Sequence, residues 1–320
     1  MPSEQANPSP PSSKAKLALL LCLLLATGAC IESLAHLMRE RRQATRLVEA
    51  GIANALLIRP SQDRRQVLFA GNSLVYDDLS QSDLQQSLGP GFLAHTAGVP
   101  GSTYYDWRYG LRALFARGSQ PDVLVFSISP SQFLRGPAAT PAPVALLWSL
   151  REILDYRREE RLNLNQLAEL LLEHYSAFYF MKDTTRIHLR KFIPGYESMV
   201  HHWTAPPPTA VPQSADDTAS SYKKRLANLA AECGTHTQLV LMLSPTNQAE
   251  DEALEPALKQ AAASLGLPIV EPVAEREWPL AKFRDDRYHL TPPAAAEFSK
   301  LVAADLLRKL AAPQNRAEGQ

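Results

Sequence analysis

One long apolar run and a series of short ones divide this chain. Leu17 to Ile31 carries no charge and follows a Pro- and Ser-rich leader ending in Lys14 and Lys16. That pattern reads as an export signal or membrane anchor over residues 1–38. Its about 15 apolar residues fall short of the roughly 20 that span a bilayer, unless Ser33 to Met38 extend them at the cost of including Glu32. The expectation is an uncleaved anchor, since Thr27-Gly28-Ala29-Cys30 resembles a lipoprotein cleavage box only loosely. Over residues 39–65, Leu47, Ile52, Leu56 and Leu57 recur at helical spacing and predict an amphipathic linker helix.

Beyond it, strand and helix patterns alternate. Short apolar runs at Gln66–Ala70, Phe92–Thr96, Val123–Ile128, Gln238–Leu243 and Leu267–Val270 predict five strands. Helical spacing follows the first at Leu79, Leu84 and Leu88, then recurs over Tyr105–Arg117, Glu250–Leu265 and Pro293–Leu310. Such alternation predicts an α/β domain, a parallel five-stranded sheet covered on both faces, over residues 66–134 and 226–312. Residues 135–225 carry no strand pattern. Val144–Arg157 and Leu162–Phe180 read there as helices of an insertion, followed by a Pro-rich loop at Ala205–Pro208, and residues 313–320 read as a tail.

Composition narrows the function. The 320 residues hold 33 basic and 33 acidic side chains, so no global field attracts nucleic acid. Three cysteines, Cys22, Cys30 and Cys233, provide no disulfide framework. His201-His202 lacks companion ligands at metal spacing, and no metal or cofactor is expected.

The chemistry lies at the carboxyl ends of the predicted strands, where open parallel sheets bind ligands. Gly71-Asn72-Ser73 closes the first strand and Asp286-Arg287-Tyr288-His289 follows the last. A serine hydroxyl needs a histidine to take its proton and an acid to orient that histidine, and these two segments supply all three. Asp285 also stands nearby, but spacing favours Asp286. The competing structural readings are a helix cap for Ser73 and a turn glycine for Gly101.

These blocks resemble those of the SGNH or GDSL-type serine hydrolases, whose fold is a flavodoxin-like three-layer α/β/α sandwich. The resemblance implies Ser73 as nucleophile, His289 as base, Asp286 as its orienting acid and Gly101, in Gly98-Val99-Pro100-Gly101, as an oxyanion donor. The chain departs from the family twice. Asn72 stands where Asp is usual, and Ser129-Pro130-Ser131-Gln132 replaces the Gly-x-Asn-Asp block whose Asn supplies an oxyanion amide. Ser131, Gln132 or Asn247 would have to replace it, unless two backbone amides suffice. With the N-terminal anchor, these departures resemble the branch that handles acyl groups on cell-envelope polymers. That implies a membrane-anchored, extracytoplasmic esterase or O-acyltransferase with an acylated glycan or other ester as substrate, or an inactive scaffold binding a glycan or a membrane acyltransferase. A cytosolic lipase-like enzyme with a membrane-binding N-terminal helix is the third reading.

Overall fold

The computed structural model describes residues 13–311 apart from 138, 183–185, 187–191, 194–214 and 274–277. The Pro-rich run, His201-His202 and the tail lie outside the described residues. Five parallel strands, β1 (Arg65–Gly71), β2 (Phe92–Gly98), β3 (Val123–Ser127), β4 (Gln238–Met242) and β5 (Ile269–Val270), form one sheet in the order β2-β1-β3-β4-β5. Strand alternation builds two cores from it. Leu68, Ala70, Leu124, Phe126, Leu239 and Leu241 enter one, and Val67, Phe69, Val123, Val125, Val240 and Met242 the other.

The first core is covered by α2 (Gln43–Leu56), α5 (Tyr104–Ala116), α11 (Ala215–Cys233) and α12 (Ala249–Ser264), and the second by α3 (Ser73–Asp78), α4 (Gln81–Leu88) and α13 (Pro292–Ala311). This is the expected three-layer α/β/α fold. Between β3 and β4, α6 (Pro130–Leu134) is followed by the insertion, which forms α7 (Pro141–Leu146), α8 (Leu150–Glu159), α9 (Leu164–Tyr175) and α10 (Ala177–Phe180). The 225/226 division drawn from the sequence falls inside α11. The N-terminal α1 (Ser13–Arg41) is a single helix, long and apolar enough over Lys16–Arg41 to cross a membrane.

Two expected helices, over Val144–Arg157 and Leu162–Phe180, are each two, while the one expected at Leu79, Leu84 and Leu88 is α4 with the shorter α3 before it, and caps explain the breaks. Ser80 accepts from the Asp83 amide and separates α3 from α4. Ser149 and Glu152 form a capping box that starts α8 afresh after α7, and Ser176 accepts from the Tyr179 amide where α9 gives way to α10. A side-chain oxygen that satisfies a free amide of a new first turn stabilises the break by about 1 kcal/mol.

Two glycines set the site by close approach. A Cβ at Gly71 would stand 1.8 Å from the Ser127 carbonyl oxygen, and one at Gly98 would stand 2.4 Å from the Tyr76 amide nitrogen. Only glycine lets β1 lie this tightly on β3 and β2 on α3, so both fix where α3 begins.

Candidate active site

Ser73 is the first residue of α3, directly beyond the carboxyl end of β1, and is nine per cent exposed. Asn72 caps that helix. Its Oδ1 accepts from the Leu74 amide at 2.9 Å, its own amide donates to the Ser127 carbonyl at 3.3 Å, and its Nδ2 donates to Gln132 Oε1. Asn72 therefore ties the Ser73 turn to the turn after β3.

On the opposite side, an isolated antiparallel bridge between Phe283 and Leu290 closes a tight turn that carries Asp286 and His289. Arg287 takes a left-handed φ of 55° at its tip. Asp286 Oδ1 accepts from the amides of Tyr288 and His289 at 2.9 and 3.0 Å, while Oδ2 meets His289 Nδ1 at 2.6 Å. Burial raises the Asp286 pKa, but the hydrogen bonds from His289 and Tyr288 outweigh it and hold this carboxyl down at about 2. An ionised acid on Nδ1 fixes the tautomer that leaves Nε2 as the ring's acceptor. Asp285 is exposed, and His289 pairs with Asp286.

His289 Nε2 is buried and makes no hydrogen bond among the described residues. It therefore makes no hydrogen bond to Ser73, whose hydroxyl was expected within or slightly beyond hydrogen-bond reach. The nearest acid to this nitrogen is Asp77, 3.9 Å away and one helical turn along α3 from Ser73. The turn is nonetheless clamped to α3, for the Leu290 amide donates to Asp78 Oδ1 at 2.8 Å and Arg284 pairs with Asp77 at 2.9 Å.

The candidate oxyanion donors separate. Gly101 has φ 79° and is exposed, with open space where a Cβ would stand, so the backbone conformation rather than crowding calls for glycine. Neither its amide nor that of Ser73 meets an acceptor among the described residues. Gln132 reaches the Ser73 turn through Asn72, with its Oε1 occupied and its Nε2 left to donate. Ser131 is engaged elsewhere, its amide on Asp251 Oδ1 at 2.9 Å and its hydroxyl 3.4 Å from that of Ser129. Asn247 is exposed and its amide donates to the Arg287 carbonyl at 3.1 Å, so it braces the histidine turn.

Three residues at the site escaped the sequence reading. Asp77 lies four positions after Ser73, a spacing that shares one helix face. Asp78 is fully buried, with Oδ2 unpartnered among the described residues, and burial pushes its pKa up to about 8. The buried Tyr288 hydroxyl makes no hydrogen bond among the described residues, although the Ser129 and Asn72 side chains are close enough to oppose the burial that pushes it up to about 12.

No family model and no curated protein matches this chain. Among solved structures it is similar to a protein from Slackia heliotrinireducens provisionally assigned to the SGNH hydrolases, at 14% identity and TM-score 0.39, over 77% of this chain and 99% of that one. It is also similar to an acetyl esterase variant holding an acetate ion, at 12% identity and TM-score 0.40, over 77% and 96% of the two chains. A carbohydrate acetylesterase from Sinorhizobium meliloti is 11% identical with TM-score 0.40, over 77% and 99%. Likeness at this level adds nothing to the fold read from the sheet order, and it says nothing of the reaction.

Proposed function

We propose that this chain is a membrane-tethered SGNH-type serine esterase or O-acyltransferase that handles acyl esters, acetyl above all, of a cell-envelope glycan. The observation that carries the proposal is His289, held by the ionised Asp286 on Nδ1 and left free on Nε2, in a turn clamped to the helix that Ser73 begins. In this mechanism Nε2 takes the Ser73 hydroxyl proton as Oγ bonds to the ester carbonyl carbon. The amides of Ser73 and Gly101 and the Nε2 of Gln132 receive the resulting oxyanion. The carbonyl re-forms as the bond to the leaving alcohol breaks, and His289 gives that alcohol the proton. Water or a sugar hydroxyl then attacks the acyl-serine, losing its proton to His289, and Ser73 leaves with it. Binding of substrate must first bring Oγ and Nε2 within hydrogen-bond reach, which catalytic pairs often attain only in the complex.

The missing Ser73–His289 bond and the nearness of Asp77 to Nε2 favour a second reading, a scaffold that binds a glycan or a membrane acyltransferase. Ser73→Ala decides between them, measured on an aryl acetate and on the acetyl content of the envelope polymer. The esterase reading predicts loss of ester cleavage, the transferase reading predicts loss of polymer acetylation, and the scaffold reading predicts neither.

The extracytoplasmic placement of the body belongs to the proposal and has its own opposing observation. Lys14 and Lys16 precede the apolar run, whereas Arg39, Arg41, Arg42 and Arg46 follow it, and the positive-inside rule alone would place the body in the cytoplasm. Labelling a cysteine on α13 in whole cells with a membrane-impermeant thiol reagent tests this. The extracytoplasmic reading requires that it react before lysis.

A further inference from the structure

α1 divides lengthwise near its C-terminal end. Glu32, Ala35 and Arg39, spaced along one face, are buried or half-buried, while Ile31, Leu34, Leu37 and Met38 are between 44% and 59% exposed. The buried face meets the helical insertion. Glu32 Oε2 accepts from the Ser176 hydroxyl at 2.8 Å and the Phe178 amide at 3.4 Å, and Oε1 accepts from the Ala177 amide, so Glu32 caps the first turn of α10. Arg39 packs over the Phe180 ring at 4.7 Å and pairs with Glu49 of α2 at 2.8 Å.

The depth of this contact follows from helix geometry. If the hydrocarbon layer begins at Leu17, its roughly 30 Å are filled by about 20 residues at 1.5 Å each, which ends it near residue 36. Glu32 then lies roughly 6 Å inside the far boundary, where an acid without a partner is costly and one on amide and hydroxyl donors is tolerated. The first turn of α10 is brought to the same depth. Beside that turn, Tyr175 is 64% exposed, Phe178 48% and Leu172 48%, and the exposed apolar positions Leu164, Ala168, Leu172 and Tyr175 continue along one face of α9. Helices seated in an interface bury their apolar face by about 5 to 10 Å, and aromatic residues favour that layer.

We propose that the α9–α10 edge of the insertion is a membrane-docking surface, with Tyr175 and Phe178 seated in the interfacial layer of the bilayer that α1 crosses and Glu32 as the staple between them. This rests on the anchor reading above. It adds that the body does not swing freely on a tether but is held against the lipid by its insertion.

The test uses the full chain in phosphatidylcholine–phosphatidylglycerol vesicles, with Cys22, Cys30 and Cys233 replaced by alanine and one spin label at Leu24→Cys, Tyr175→Cys, Phe178→Cys or Lys300→Cys. Collisions with oxygen report lipid, and collisions with a nickel chelate report water. The proposal requires the labels at 175 and 178 to show an oxygen-to-nickel ratio several-fold above that at 300, at a depth shallower than 24. A label at 24 in lipid with those at 175 and 178 in water would overturn the docking surface and leave the anchor standing. Water at 24 would overturn the anchor and the docking together. Screening of 178 from both reagents would mark a protein contact and also overturn the proposal. Adding Glu32→Ala should return the 178 label to water while 24 stays in lipid. A 178 label that remains in lipid would remove Glu32 from the staple.

Discussion

Replacing Asp78 by asparagine should change how stability depends on pH. Asp78 is fully buried, receives the Leu290 amide on Oδ1 and has no partner on Oδ2 among the described residues. Burial chiefly pushes its pKa up to about 8 from 3.8, with the Leu290 hydrogen bond and Arg284 pulling it partly back and Asp77 and Asp286 adding to the rise. Between those values the folded chain binds the proton and the unfolded chain does not. The stability this group supports is therefore complete below about pH 4 and declines as pH rises towards 8, at about 1.4 kcal/mol per unit. From pH 5 to pH 7 the decline is about 3 kcal/mol. Asparagine keeps the acceptor for Leu290 and cannot ionise, and its unpartnered amide adds a cost of about 1 to 3 kcal/mol that does not vary with pH. Titrating groups that do not interact with Asp78 cancel in the difference, and the neighbouring Asp77 and Asp286 are ionised in both proteins over most of this range. Urea unfolding of the detergent-solubilised chain at pH 5, 6 and 7, followed by the fluorescence of the buried Trp107, Trp148 and Trp278, should show Asp78→Asn gaining about 3 kcal/mol on the parent over that range. Parallel stability profiles would refute the reasoning.

Three further outcomes follow from the site and its frame. Gln132→Ala should lower kcat on an aryl acetate about 10²- to 10³-fold with little change in KM, as loss of one oxyanion donor does, whereas Ser131→Ala should leave the rate nearly unchanged. Asp286→Asn should lower kcat by about 10²- to 10⁴-fold while circular dichroism stays native, because the wrong imidazole tautomer then faces Ser73. Gly71→Ala should destabilise the fold by about 1 to 3 kcal/mol or more in urea melts, since its Cβ would meet the Ser127 carbonyl oxygen and β1 must move off β3.

The central strands were legible because β1 and β3 are buried on both faces, so Val67–Ala70 and Val123–Phe126 appear as unbroken apolar runs. The placing of Ser73 and the Asp286–His289 pair at one sheet edge was legible for a related reason. In a parallel sheet every strand ends on the same side, so strand ends far apart in sequence are neighbours in space. The helix breaks were less visible because Leu, Tyr and Trp keep their helical spacing across Ser149 and Ser176. The caps themselves were written in the chain, as Ser149-x-x-Glu152 and Asn163-x-x-Gln166, and they outrank the apolar period locally. Asp77, Asp78 and Tyr288 were hidden for another reason. Their neighbours come from the other end of the chain, and only the packing of the histidine turn on α3 reveals that an acid there is buried. Gln132 lay between these cases, for the sequence placed it after β3 but left its contact with Asn72 to the folded chain.

The most direct measurement of the central claim is covalent labelling of the membrane-embedded full chain with a fluorophosphonate, mapped by mass spectrometry. The account predicts a phosphonyl adduct on Ser73 that is abolished by Ser73→Ala and strongly slowed by His289→Ala, with the Asp286 variant between them. An active preparation that takes up no label, or one labelled at another serine with Ser73 untouched, would contradict it.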